Sequence, residues 1–170
     1  TLPLASLNSL DAVAADSGHT LVYVGTYTGG KSQGIYAFRF DAASGAVTPL
    51  GLAAETKNPS FLDTDASGRF LYAVGELGEF RGAKTGVVSA FAIDRETGKL
   101  RLLNQASSGG EGPCHVVVDR TGRWVFVANY GGGSVAMLPV RADGHVGEPT
   151  AFFQHQGSSV NPQRQKEPHA

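Results

Sequence analysis

The sequence has 170 residues, 41% of them hydrophobic and 9% aromatic, which suits one domain with a real core. Charged residues make up only 17% and the formal net charge is −1, so no basic surface is available for nucleic acid. No apolar run reaches the ~18 residues that would span a membrane, and the single cysteine, Cys114, excludes an internal disulfide framework and a cysteine-based zinc site.

Residues 1–17 differ from the rest. They are rich in Ala, Leu and Ser, carry no Lys or Arg, and do not begin with Met. Ala12-Val13-Ala14 has the small-x-small form of a signal-peptide cleavage site. Two readings stand: the tail of an export signal, implying a periplasmic or secreted protein, or a plain N-terminal extension.

From residue 18 onward the pattern is that of strands. The first group is Leu21–Thr26, Gly34–Asp41 and Val47–Ala54. The second is Ser60–Asp65, Phe70–Gly75, Val87–Asp94 and Leu100–Ser107. The third is His115–Asp119, Trp124–Asn129, Ser134–Val140 and Val146–Phe153. Each run is short, rich in β-branched and aromatic residues, and bounded by turn residues. No segment keeps a 3.6-residue apolar period, so no long helix is expected.

The groups repeat. Pro59 and Pro113 stand 54 positions apart, as do Gly68 and Gly122, and Tyr72 and Phe126. Leu21-Val22-Tyr23-Val24-Gly25 aligns with Leu71-Tyr72-Ala73-Val74-Gly75. The turns match too: Asp65–Arg69 with Asp119–Arg123, and Asp41–Gly45 with Asp94–Gly98. In each, an Asp can accept nearby backbone N–H groups and a Gly can take positive φ. A four-strand unit repeated near 50 residues describes an all-β propeller blade. The blades fall at roughly 18–57, 58–111 and 112–154, with a further one beginning after that. Val87–Ile93 is apolar on both faces, which blade-on-blade stacking would cover.

An ordered series of stretches sharpens this: Val24–Thr28, Gly34–Tyr36, Asn58–Leu62, Leu71–Glu76, Gly112–His115, Ala128–Val135 and Asn161–Ala170. Together they resemble the lactonase family with a seven-bladed β-propeller, which includes the propeller type of 6-phosphogluconolactonase and carboxymuconate cyclases. The resemblance implies a lactone hydrolase acting on a sugar lactone such as 6-phosphogluconolactone, and a cytoplasmic location. Seven units of about 50 residues need well over 300, so this chain is expected to hold about three. An open array of three would expose an apolar face at each end, a route to self-association.

In a blade the first strand leaves one face of the disc and the second returns to it. Asn58, His115, Glu76, Asn129 and Tyr130 should therefore share a face with Gly25-Thr26-Tyr27. The tail from His155 to Ala170 should bring Arg164, Gln165 and His169 to the same place. Loops converging there make a sensible ligand site. Lactone opening needs an activated water, stabilisation of an oxyanion and a proton for the ring oxygen. Catalytic candidates are Glu76 as base, His115 and His169 as proton relays, and Arg164 as a bidentate anion holder. Tyr27, Asn58, Asn129, Tyr130 and Gln165 are the candidate substrate contacts. The scheme requires no metal and no cofactor; its partner is a small-molecule lactone or sugar acid.

Structural alternatives accompany each assignment. Glu76 could only accept loop hydrogen bonds, His115 could sit satisfied near the blade axis, and Arg164 could brace its own loop. Asn129 and Tyr130 could be turn and packing residues, and Cys114 a small buried apolar residue. Gly131-Gly132-Gly133 reads as a hairpin, because no helix or Lys-Ser/Thr pair follows. Arg81 and Lys84 lie in an excursion, Leu77–Thr85, and read as solvated charges. Two rival functions stay open: muconate cyclisation, and a non-catalytic propeller that binds a ligand.

Overall fold

The computed structural model describes residues 18–170. The N-terminal extension and its cleavage-site reading lie outside the described residues. Those residues contain eleven strands and no helix. The strands are β1 (His19–Val24), β2 (Gly34–Asp41), β3 (Val47–Glu55), β4 (Leu62–Thr64), β5 (Phe70–Gly75), β6 (Val87–Ile93), β7 (Leu100–Ser107), β8 (Pro113–Val118), β9 (Trp124–Asn129), β10 (Ser134–Pro139) and β11 (Ala151–Gln154).

They form three antiparallel sheets, ordered β1-β2-β3, β4-β5-β6-β7 and β8-β9-β10-β11. Each is a meander in which every strand pairs with its neighbour in sequence, as short turns require. Most strand ends fall within two residues of expectation, and two strands are much shorter than expected. β11 begins at Ala151, not Val146. Gly147 and Pro149 interrupt the ladder, and Val146 keeps only an isolated bridge to Val140. β4 is only three residues long, because Asn58–Phe61 is spent on the connections described below.

The middle sheet is apolar on both sides, and its alternating residues sort between two cores. Leu71, Ala73 and Phe91 pack with Ile35, Ala37 and Ala53 of the first sheet. Tyr72, Val74, Val88 and Ala90 pack with Val116, Val125, Val127 and Leu138 of the third. Polar bonds stitch the second of these seams. The Tyr72 hydroxyl donates to the Gly144 carbonyl at 3.0 Å. Asn104 exchanges two bonds with the Val146 backbone, and Asp63 accepts from the Val118 N–H at 2.7 Å. The outward side of the third sheet leaves Val117, Phe126, Val135 and Phe153 exposed.

Candidate active site

The site is built where the first sheet meets the second. Val24 ends β1 and Gly25 follows. A Cβ on Gly25 would lie 1.9 Å from the Pro59 carbonyl oxygen, so only glycine allows this approach. The Thr26–Thr28 segment is thereby laid over the entry to β4. Opposite it, β5 ends at Gly75 and presents Glu76.

Three side chains converge there. The Tyr27 hydroxyl donates to Glu76 Oε2 at 2.8 Å, and the Ser60 hydroxyl donates to the same oxygen at 2.6 Å. Oε1 has no hydrogen-bond partner among the described residues and is left for water or a ligand. The hydrogen bond to Glu76, then burial, raises the Tyr27 phenol above its ordinary value of 10.0. Tyr27 thus stays a proton donor, although its side chain is 62% exposed.

Asn58 sits beneath this group. Its backbone adopts φ +45°, a left-handed conformation that Asn tolerates better than most residues. Its Oδ1 accepts from the Thr28 N–H and Thr28 hydroxyl, each at 3.0 Å. Its Nδ2 donates to the Glu76 carbonyl at 3.3 Å. Its own carbonyl accepts from Ser60 N–H and Glu76 N–H.

The third sheet adds a second group. The His169 ring stacks on Tyr130, with centroids 4.1 Å apart and planes 7° from parallel. His169 Nδ1 lies 3.0 Å from the Tyr130 carbonyl oxygen and Nε2 lies 3.1 Å from that of Arg164. Carbonyls only accept, so both contacts are hydrogen bonds at once only in the form of the imidazole that carries both protons. Consistently, the bonds to Tyr130 and then Arg164 raise its pKa above 6.5. Arg164 and Gln165 belong to a turn closed by their N–H groups on the Asn161 carbonyl. Gln165 Oε1 accepts from Asn161 N–H. The Arg164 side chain is exposed and makes no ion pair among the described residues. A cleft of about 280 Å³ lies beside it, lined by Gln156–Ser159, Gln165, Glu167, Pro168 and His169.

His115 is exposed and its ring packs on Phe61, centroids 4.1 Å apart. Cys114 falls at a register break between β8 and β9, a bulge that re-aims its side chain. Its thiol is half-buried, 3.7 Å from the Ala128 carbonyl and 3.9 Å from that of Ala170, and close enough to Tyr27 to influence its phenol. It therefore lies between the two groups, and is not the wholly enclosed residue its apolar reading describes.

Of the residues singled out in the sequence, Glu76 joins Tyr27 and Asn58, and His169 joins Tyr130 and Arg164. Asn129 departs from its expected place. It is wholly buried, and its Nδ2 donates to the Ser108 carbonyl and the Ser134 hydroxyl, which ties the connection after β7 to the start of β10. Ser60 and Thr28 were not anticipated. Both lie within the stretches that carried the family resemblance, and that adjacency was the available signal. No cluster of three or more His, Cys, Asp or Glu is gathered as for a metal among the described residues, and none of their helices could cross a membrane, since there are none.

Comparison with known proteins agrees with this architecture. Residues 21–170 match the family model described as Lactonase, 7-bladed beta-propeller. The chain belongs to that family. It is 38% identical over 147 residues to a protein named 6-phosphogluconolactonase from Bacillus subtilis, covering 86% of this chain and 40% of the relative. A solved structure of a putative 6-phosphogluconolactonase from Bacteroides fragilis superposes with a TM-score of 0.82 at 40% identity, covering 94% of this chain and 42% of that one. The periplasmic gluconolactonase PpgL of Pseudomonas aeruginosa gives a TM-score of 0.75 at 38% identity, covering 86% and 41%. The chain thus spans about two-fifths of the length of these relatives.

Proposed function

We propose that the protein hydrolyses a sugar δ-lactone, with Glu76 as general base. The observation that carries this is the carboxylate itself. Two hydroxyls hold Oε2, and Oε1 is left open on the face where loops from successive sheets converge. The names of the relatives, 6-phosphogluconolactonase and gluconolactonase, support a sugar lactone as the substrate class. A water on Oε1 loses its proton to the carboxylate and attacks the lactone carbonyl. Collapse of the tetrahedral intermediate breaks the bond to the ring oxygen, which takes a proton as it leaves. Tyr27 and His115 are the donors nearest to that task.

His169 is assigned a positioning role here. Its two ring nitrogens lie against the Tyr130 and Arg164 carbonyls, so it ties the Arg164 backbone to the end of β9. Arg164 then offers its guanidinium to a phosphate or carboxylate of the substrate. The PpgL likeness favours one further possibility, a lactone without phosphate, for which Arg164 would matter little.

The test is hydrolysis of 6-phosphogluconolactone and glucono-δ-lactone by the full-length protein and by Glu76→Gln and Arg164→Ala. Glu76→Gln should lose activity toward both. Arg164→Ala should raise KM for the phosphorylated lactone alone. Parent-level rates in both variants would refute the assignment.

A further inference from the structure

Asn58 reaches every member of the Glu76 group. It is half-buried and both ends of its amide are engaged: Oδ1 accepts two bonds, and Nδ2 spends one of its two N–H groups on the Glu76 backbone. Its Oδ1 fixes the Thr28 backbone and hydroxyl, and therefore the Tyr27 that precedes them. The Thr28 hydroxyl in turn accepts from the Asn58 N–H at 3.3 Å, closing the link in both directions. Its Nδ2 and its carbonyl both hold the Glu76 backbone, and the same carbonyl holds Ser60. One residue thus sets the relative positions of both hydroxyl donors and of the carboxylate they share.

The backbone supports this reading. Asn58 is left-handed and also precedes Pro59, a position from which proline sterically discourages helical-type conformations. Such a conformation costs free energy and persists only where its surroundings enforce it. Here the enforcing contacts are the ones that assemble the Glu76 group, and they join two different sheets.

We infer that Asn58 is a positioning residue for lactone hydrolysis. It aligns Tyr27 and Ser60 on one oxygen of Glu76, so that the other oxygen faces the substrate water. This rests on the reading of Glu76 as the base, and its consequence is a specific kinetic signature. Loss of alignment lowers kcat and leaves KM nearly unchanged, because the substrate is not touched.

The experiment uses the full-length protein with glucono-δ-lactone and 6-phosphogluconolactone as substrates. Asn58→Gly keeps the left-handed backbone and deletes the amide; kcat should fall about 10-fold or more, with KM within about twofold. Asn58→Asp keeps the acceptor for Thr28 but turns the donor toward Glu76 into a negatively charged oxygen. Its kcat should also fall, and the acidic limb of its pH profile should move to higher pH, because a second carboxylate disfavours an ionised neighbour. If Asn58→Gly does not fold, Asn58→Asp and Thr28→Val carry the test. A raised KM at unchanged kcat would make Asn58 a substrate contact and overturn the inference. So would parent-like kcat and pH profile in the folded variants. If Glu76→Gln is inactive while the Asn58 variants behave as the parent, only the positioning role fails. If Glu76→Gln is itself fully active, the catalytic reading fails with it.

Discussion

Two carboxylate arrangements at opposite ends of the strands show how differently one chemical group can be restrained. Asp119 accepts from the Thr121 side chain and from the N–H groups of Thr121, Arg123 and Trp124, all within five residues. Asp65 repeats this with Ser67, Arg69 and Phe70. Glu76 accepts from Ser60 in its own sheet and Tyr27 in another, 16 and 49 residues away. The Asp turns complete themselves locally and serve the backbone. The Glu76 group exists only once two sheets have met, and it retains an uncommitted oxygen. Restraint by near neighbours yields a fastener, whereas restraint across a seam leaves room for chemistry.

The largest effect that would sharpen this contrast is on turnover. Glu76→Gln should reduce kcat about 10²- to 10⁴-fold, the usual weight of a general base, with a melting temperature close to the parent's. Asp119→Asn should do the reverse, lowering the melting temperature and sparing the rate. Next comes Gly25→Ala. Its Cβ would collide with the Pro59 backbone, so we expect about 1–3 kcal/mol of destabilisation in chemical unfolding, together with a fall in kcat as Tyr27 is pushed off Glu76. Tyr27→Phe removes one donor, and about 1 kcal/mol of lost hydrogen bonding corresponds to roughly a fivefold fall in kcat. Equal losses of stability and rate in Asp119→Asn and Glu76→Gln would break the distinction.

The smallest effect is on acid stability. The Thr121 hydroxyl and then backbone N–H groups hold the Asp119 pKa at about 2, against an ordinary 3.8. Asp41, Asp65, Asp94 and Asp143 are lowered as well. A carboxyl depressed on folding contributes stability that is fully present above its unfolded value and is lost as pH falls through its folded one. Thermal melts should therefore weaken between about pH 4 and pH 2, and Asp119→Asn should narrow its gap to the parent over that window. A gap independent of pH would show that the ionised carboxylate is not what the turn uses.

The same contrast explains what could be read from the residues alone. Strand alternation, Asp-Gly turns and the 54-residue spacing depend on neighbours in sequence, so sheets and turns were legible, apart from the late start of β11 where Gly147 and Pro149 break the ladder. Glu76 and Tyr27 were legible as residents of one face, since strand direction decides that. The role of Asn58 was not, because both ends of its amide are engaged by partners 18 and 30 residues away. Asn129 was misplaced for a related reason. It ends β9 at the site face, yet its side chain turns inward to Ser108 and Ser134, and a period of two does not reveal what a strand's last residue finds beside it. His169 showed its type in the sequence, but the two carbonyls that hold its ring belong to residues 39 and 5 positions away and were not legible there.

The two-sided packing of β5 has a consequence for how this gene can vary. Leu71 and Ala73 serve one seam while Tyr72 and Val74 serve the other. Inserting or deleting a single codon within Phe70–Gly75 would exchange the two sets, presenting the residues fitted to one neighbour to the other. Both junctions would fail from one event, whereas a codon added in the Asp65–Arg69 turn would disturb only the hairpin. Length changes should therefore accumulate at the turns and be purged from the middle of β5, however mild the residue added.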